Sequence, residues 1–150
     1  MSKIILLDSG PLGLAANPNV SVETIAFNRW LHTQLANHIS VCIPDVADYE
    51  VRRELIRANK SRSLRSLDAL QSRFDYLTIT TAILRRAAQV WAQARNMGKP
   101  TANALSLDAD SIIVAQALLM IDDGDEVVIA TTNPKHLGLF VPAARWQDIN

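Results

Sequence analysis

Short apolar runs separated by longer amphipathic segments give the expected order of elements along the chain. Residues 4–7 (IILL) form a continuous β-branched and leucine run, which is typical of a strand covered on both faces. Similar runs predict further strands at residues 39–43, 76–79 and 127–130, and a last edge strand at residues 144–146. The first run ends abruptly in Asp8, and the Ser9-Gly10-Pro11 that follows has the composition of a turn.

Segments with helical periodicity lie between these runs. Ala47, Val51 and Leu55 share one face of the segment that begins at Asp45. Ser21 is a start signal for an earlier helix, and Gly98-Lys99-Pro100 is a stop signal for a later one. The predicted helices cover residues 21–38, 45–60, 63–74, 80–97 and 111–121.

The alternation of strands and long helices predicts the fold class. Such connections imply right-handed crossovers and a sheet with helices on both faces. We therefore expect an α/β protein, a three-layer α/β/α sandwich with a mostly parallel central sheet. The 150 residues suffice for one domain with a core and are too few for two, so residues 1–150 are expected to form a single domain.

The composition narrows the class of protein further. No apolar run approaches the ~20 residues of a membrane-spanning helix, and the first residues lack the basic start and cleavage pattern of a signal peptide. These features predict a cytoplasmic protein with no membrane partner. Cys42 is the single cysteine, so the chain forms no internal disulfide, and its place in an apolar run predicts a small core residue.

The charge distribution is uneven although the formal net charge is zero. Residues 52–99 contain eleven Lys or Arg and three acids, whereas the rest of the chain contains four basic residues and twelve acids. This asymmetry indicates a face that binds a polyanion beside an acidic site. A set of solvated helix faces is the alternative, and it is the better explanation for any single arginine.

Several oxygen-bearing side chains follow predicted strands or lie on the first turns of helices. In open parallel sheets, ligands bind beyond the carboxyl ends of the strands, so these side chains are expected at one rim. Carboxylates that meet in one cleft repel one another unless a cation lies among them or some are protonated. Oxygen ligands without His or Cys favour Mg²⁺ or Mn²⁺, and a phosphate ester is the substrate that such a site suits. The candidates are Asp8, Glu50, Asp108, Asp110, Thr131 and Asn133.

Each candidate also has a structural explanation. Asp8 can begin a turn, although the hydrophobic strand before it favours a site, and Glu50 can pair with Arg53. At the start of the helix expected near residue 110, an N-cap role is favoured for Asp108 and metal binding for Asp110. Thr131 can simply end its strand, and Asn133 can open a turn before Pro134.

Four stretches carry a resemblance to a known family. "LLDSGPL", "IPDVADYEVRREL", "LDADSIIVAQA" and "VVIATTNPKHL" resemble the four acidic motifs of PIN-domain nucleases, in the same order and across nearly the whole chain. This family includes the ribonuclease toxins of VapC type. By this resemblance, Asp8, Glu50 and Asp110 correspond to the first three family acids, while Asn133 stands where many members have a fourth Asp.

The resemblance also implies a function. It implies Mg²⁺- or Mn²⁺-dependent hydrolysis of RNA that leaves a 5′-phosphate, usually by a homodimer and often restrained by an antitoxin protein. Asp108 is a nearby extra carboxylate, and Thr131 resembles a family hydroxyl that contacts the site through water or metal. Asn133 removes one negative charge, which weakens any second metal site.

These expectations combine into one mechanism. Asp8, Glu50 and Asp110 hold the cation, which orients and acidifies a water for in-line attack on phosphorus. Basic residues on or after the helix that carries Glu50 are then expected to hold the backbone of a single RNA strand. These residues are Arg52, Arg53, Arg57, Lys60, Arg62 and Arg65.

Two other functions share part of this sequence pattern. An aspartyl phosphatase would normally have Asp-X-Asp-X-Thr after its first strand, but Gly10 occupies the second Asp position and Glu50 has no role in that chemistry. A PIN-like module that has lost activity and binds RNA or a protein stays open because of Asn133.

Overall fold

The central sheet has five strands, and every neighbouring pair is parallel. A computed structural model describes residues 2–98 and 104–150, with side chains from residue 108 onward in the second range. The strands lie in the order β3-β2-β1-β4-β5. Their bounds are Lys3–Leu7 (β1), Ser40–Pro44 (β2), Asp75–Leu77 (β3), Glu126–Ala130 (β4) and Ala143–Ala144 (β5). The predicted α/β class with a parallel central sheet is confirmed.

Seven α-helices in the described residues flank this sheet. Two short 3₁₀ turns, Leu70–Ser72 and Trp146–Asp148, accompany them. None of the helices in the described ranges is long and apolar enough to cross a membrane. The helices are Ser9–Ala16 (α1), Val22–Ala36 (α2), Asp45–Arg57 (α3), Ser61–Ala69 (α4), Thr81–Asn96 (α5), Ala104–Asp122 (α6) and Pro134–Leu137 (α7).

Strand β1 lies at the centre of the sheet and of the core. Ile5, Leu6 and Leu7 are fully buried, because β2 and β4 pair with both edges of the strand and helices cover its faces. A strand buried in this way needs apolar side chains on both faces, which explains the uninterrupted run seen in the sequence. Cys42 is a buried residue of β2, and burial raises the pKa of its thiol to about 11, as suits an inert core residue.

The first correction to the predicted elements concerns the residues after Asp8. Ser9, Gly10 and Pro11 do not form a turn but begin helix α1. Asp8 is the N-cap, since its Oδ1 accepts a hydrogen bond from Ser9 N (2.8 Å) and its carbonyl accepts one from Leu12 N (2.9 Å). Pro11 is tolerated because the N–H groups of a first helical turn have no intrahelical partner.

The second correction concerns α6, which begins at Ala104 instead of near residue 110. The alanines and leucines of this segment have high helix propensity, and they extend the helix over residues expected to form a loop. Asp108 therefore lies within the helix and cannot be its N-cap. Smaller differences are the 3₁₀ turn that ends the predicted helix 63–74, the shift of the last strand to Ala143–Ala144, and α7, which was not predicted.

Gly10 and Gly13 allow a matched test of how closely α1 approaches the end of β4. A Cβ atom on Gly10 would lie 2.6 Å from Thr132 Cγ2, whereas one on Gly13 would meet nothing within 4 Å. Gly10→Ala is expected to lower the free energy of unfolding by about 1–2 kcal/mol through overpacking. Gly13→Ala should raise it by about 0.5–1 kcal/mol, because alanine favours a helix interior. Urea denaturation of both variants checks this, and equal effects would contradict the close approach.

Candidate active site at the carboxyl end of the sheet

The candidate site lies where the strand order reverses. Strand β1 has β2 on one side and β4 on the other, and the chain moves outward from β1 to β3 before it returns to β4. Such a reversal opens a crevice beyond the carboxyl ends of the central strands. Asp8 directly follows β1 and Thr131 directly follows β4, so both lie at this crevice.

Hydrogen bonds fix the orientation of the Asp8 carboxylate. Thr131 Oγ1 donates to Asp8 Oδ2 (2.8 Å), and Ser9 N donates to the other carboxylate oxygen, Oδ1. The Thr131 hydroxyl also accepts a hydrogen bond from Asn133 N (3.1 Å), and its side chain is almost fully buried. Thr131 therefore contacts Asp8 directly and orients its carboxylate, and the expected contact through water or metal stays a prediction.

Glu50 and Asp110 complete an acidic cluster with Asp8. Glu50 lies in the second turn of α3 and Asp110 lies in α6, and both side chains are partly buried. Burial and then the charges of Asp8 and Glu50 raise the pKa of Asp110 to about 7. Burial also raises the pKa of Glu50, with a further contribution from Asp8, although Arg53 opposes it. The three carboxylates are therefore close enough to disfavour one another's ionisation.

Asp8 itself combines burial with opposing hydrogen bonds. Burial raises its pKa, while the hydrogen bonds from Thr131 and Ser9 lower it. These donors stabilise the charged form of a carboxylate that would otherwise be costly in this position.

The donor set suits a hard divalent cation in its chemistry. All three side chains offer carboxylate oxygens, and their mutual repulsion is what a cation would relieve. As the side chains stand, no group of three His, Cys, Asp or Glu in the described part of the chain is close enough to enclose a metal ion. Ligation by this cluster would therefore need a change of carboxylate rotamers, for which the long side chain of Glu50 has the most freedom.

Asp108 is not brought to this cluster. Its side chain is exposed and lines a cavity between α5 and α6 together with Leu84, Trp91 and Ile112. Asp108 and Asp110 are two positions apart, and on a helix this spacing directs them to nearly opposite faces. Because the helix extends through both residues, Asp108 faces away from Asp110, and its help at the acidic site stays a prediction without support from this geometry.

Asn133 lies close to the site without facing the acids. Its backbone N–H contacts Thr131, but its side-chain Nδ2 is 2.9 Å from His136 Nδ1 in α7. Asn133 also precedes Pro134 and occupies the N-cap position of the short helix α7. The alternative for this residue was a turn before Pro134. The fourth position of the motif thus supplies backbone support in this structure.

The basic residues predicted to bind nucleic acid differ in how available their charges are. Arg52 is bound by Asp48 (Nε to Oδ1, 2.8 Å) and by Asp68 (Nη1 to Oδ1, 2.7 Å), so its charge is already neutralised. A guanidinium held between two carboxylates is poorly placed to bind phosphate, which counts against the predicted role of Arg52 in binding nucleic acid. Arg57 pairs with Glu54 (2.9 Å) in a highly exposed ion pair, which contributes little.

The other four basic residues are exposed. The Arg53 guanidinium lies 5.3 Å from the centre of the Tyr49 ring and lowers the pKa of Glu50, so it is beside the acidic cluster. Lys60 and Arg62 line a cleft where α3 meets α4, and Arg65 lies on the surface of α4. These four define the basic surface as the structure has it.

Asp48 is a structural residue that the sequence reasoning missed. It is buried two residues before Glu50, and it accepts hydrogen bonds from Arg52 Nε and from Tyr76 Oη (2.9 Å). It therefore braces α3 against β3 and helps to place Glu50. The Asp–Arg spacing of four residues was a signal for this pair.

Comparisons with known proteins identify the family and agree with the fold. The family profile described as PIN domain matches residues 14–132, most of the chain. The chain belongs to the PIN domain family. The matched range includes Glu50, Asp110 and Thr131. It begins after Asp8 and ends before Asn133. A search of curated proteins finds no match.

Solved structures share the fold of this PIN domain at low sequence identity. They include VapBC2 from Rickettsia felis bound to a DNA fragment from their promoter, at 15% identity and a TM-score of 0.71, covering 95% of this chain and 98% of that one. VapBC-1 from nontypeable Haemophilus influenzae has 16% identity and a TM-score of 0.67, covering 97% and 99%. DNA-bound VapBC from Salmonella typhimurium has 19% identity and a TM-score of 0.65, covering 97% and 99%.

The raised pKa of Asp110 predicts how stability depends on pH in the metal-free PIN domain. The pKa of Asp110 in the folded state is raised to about 7, whereas the ordinary pKa of an aspartate is 3.8. Between these values the folded state holds the extra proton, so the free energy of unfolding should fall as pH rises from about 5 to 8, on the order of 1–3 kcal/mol.

Urea denaturation in EDTA across this range measures the effect. Asp110→Asn should flatten the slope, because amide replaces the titrating group, and saturating Mn²⁺ should flatten it by replacing the proton. Asp123→Asn, an exposed carboxylate after α6, is the control and should keep the slope. An unchanged slope in Asp110→Asn would show that the pKa of Asp110 is not raised in the folded protein.

Proposed function

We propose that this PIN domain is a Mg²⁺- or Mn²⁺-dependent endoribonuclease. The observation that carries the proposal is the cluster of Asp8, Glu50 and Asp110 at the switch point of the sheet, where Asp8 raises the pKa of Glu50 and both raise that of Asp110. Three carboxyl groups whose pKa is raised by burial, and in Glu50 and Asp110 also by neighbouring charge, are costly to the fold, and binding of a divalent cation is the function that explains them. PIN domains are generally nucleases, and hydrolysis of a phosphodiester is the chemistry that such a cluster supports.

Each residue has a defined task in this mechanism. When bound, Mg²⁺ or Mn²⁺ would lower the pKa of a water and offset the charge that develops on the phosphate. Asp8 presents a carboxylate that Thr131 and Ser9 hold in one orientation. Glu50 and Asp110 would supply the other carboxylate oxygens, and Asp110 would have to be deprotonated to hold a cation. Arg53, whose charge acts on Glu50, would contact the phosphate backbone.

We further propose that the protein acts as the toxin of a toxin–antitoxin pair. Support comes from the shared fold of the VapBC structures, which match nearly the full length of both chains. The antitoxin partner and a homodimer are part of this proposal. Leu84 and Trp91 are exposed one above the other on α5, and such an apolar surface suits contact with another chain.

A catalytically weak module that binds RNA or protein is the second candidate. Asn133 in place of a fourth acid and carboxylates that do not yet enclose a metal site favour it. The two candidates differ in one measurable property, which is metal-dependent cleavage.

An RNA cleavage assay with and without EDTA tests the nuclease. Wild type should cleave single-stranded RNA with Mg²⁺ or Mn²⁺, and EDTA should abolish cleavage. Asp8→Asn should lower the rate by about 100-fold or more, since an oriented metal ligand is lost, yet remain folded because repulsion in the cluster falls. Asp123→Asn is the control at wild-type rate. RNA binding without cleavage by wild type would favour the second candidate.

The basic surface is tested by RNA affinity in the Asp8→Asn background. Arg53→Ala with Arg57→Ala should weaken binding several-fold at low salt, and most of the effect should come from Arg53 because Arg57 is paired with Glu54. The difference should shrink as salt rises. Arg85→Ala with Arg95→Ala removes the same charge from α5 and should have little effect. Equal losses of RNA affinity in the two double variants would show that only the net charge of the protein matters, which would contradict a specific basic surface.

A further inference from the structure

A second cleft opens beside Asp8, on the side away from α3. Its volume is about 220 Å³, smaller than the roughly 300–1,000 Å³ of sites for drug-sized ligands. The residues that line it come from α1, α2, the end of β4 and the last 3₁₀ turn. They are Gly10, Pro11, Leu14, Glu23, Thr131, Thr132, Arg145, Trp146 and Gln147.

Backbone pairing ties this cleft to the candidate active site. Thr131 N donates to Ala144 O (3.0 Å), which places Arg145 next to the residue that orients Asp8. Gly10 forms part of the cleft wall and lies close to Thr132, so that any side chain at this position would collide with Thr132. A ligand in the cleft would therefore be adjacent to the Asp8 carboxylate.

The aromatic wall of the cleft is fixed in place. Trp146 packs edge-to-face on Phe27 (centroids 5.4 Å apart, planes at 89°) and also contacts Trp30 (5.8 Å). Trp30 Nε1 in turn donates to Ile149 O (2.8 Å), which anchors the last residues of the chain. Part of the Trp146 side chain is still accessible and lines the cleft. A rigid, partly exposed indole offers a surface on which a planar ring can stack at little entropic cost.

The polar groups of the cleft are those that recognise a nucleotide. Arg145 is exposed, and no carboxylate lies within ion-pairing distance of it among the described residues, so its charge is available. Glu23 lines the same cleft and offers an acceptor for a base amino or ribose hydroxyl group. A cation, an acceptor and an aromatic surface together suit a phosphate, a sugar and a base.

We infer that this cleft binds the nucleotide next to the cleaved phosphate of a single-stranded RNA, with Arg145 on its phosphate and its base against Trp146. The inference rests on the proposed nuclease function and deepens it by naming a binding site for the substrate. The site lies on the opposite side of Asp8 from the basic surface on α3 and α4, so the strand would cross the acidic cluster between the two.

Equilibrium binding tests the role of Arg145. The probe is a fluorescein-labelled single-stranded RNA of about 12 nucleotides, within the span of one single-strand groove, and the Asp8→Asn background prevents cleavage. Arg145→Gln should weaken binding about 5- to 10-fold at low salt and lower the slope of log K against log salt by about 0.7, the value for one phosphate contact. Arg145→Lys should keep the slope. Arg85→Gln is the matched control on α5 and should bind like the parent.

Photo-crosslinking tests the role of Trp146 without disturbing its packing. The same RNA with 5-iodouridine substitutions should crosslink to the peptide that contains Trp146. Crosslinks found only outside the cleft, or an Arg145→Gln variant with the parent's affinity and salt slope, would overturn the inference.

The outcomes separate this inference from the proposed function. Cleavage by wild type together with an unaffected Arg145→Gln variant would reject the cleft alone. Loss of affinity and crosslinking at Trp146 without cleavage would support the cleft and reject the nuclease. A parent protein that binds no RNA would overturn both.

Discussion

The parallel pairing of β1 with β4 is the constraint on which the candidate site depends. The register sets Leu7 opposite Ala130, and Asp8 N donates to Ala130 O (2.9 Å), so the residues that follow the two strands must meet. Asp8 and Thr131 are 123 positions apart in sequence, yet the hydrogen bond between their side chains is a direct consequence of this pairing. The apolar run of β1 thus does more than fill the core, because it holds the register that places the first acid.

Burial and charge act against each other at this site. The three carboxyl groups lie at the end of β1 (Asp8), on α3 (Glu50) and on α6 (Asp110). Burial among these elements raises the pKa of each group. The fold tolerates this because Asp8 accepts two hydrogen bonds and because Asp110 can hold a proton near neutral pH. A divalent cation would relieve the same repulsion, so the groups that weaken the metal-free fold are those that would bind metal.

The sequence predicted those features that follow from local pattern and general topology. The buried strands and the rim that gathers Asp8, Glu50 and Asp110 could be deduced because period and strand direction determine them. Helix α1 was missed because an aspartate before Ser-Gly-Pro begins a turn or a helix equally well, and tertiary packing decides. The ion pair between Arg52 and Asp68 was missed because Asp68 lies sixteen residues away on another helix, and no sequence spacing reveals such a pair. The N-cap role predicted for Asp108 was wrong because α6 begins at Ala104, before this residue.

The residues around Asp8 divide into two surfaces that differ in how they would hold a nucleic acid. On one side, the exposed cations attract a phosphate backbone without reading its bases; they are Arg53, Lys60, Arg62 and Arg65. On the other side, Arg145 is attached to a rigid segment that Trp30 and Phe27 fix through Trp146 and Ile149. Selectivity requires groups held in place, because an unpaired polar group discriminates only where the site cannot adjust. Any preference for particular bases should therefore arise at the Arg145 side, while the α3–α4 side contributes affinity.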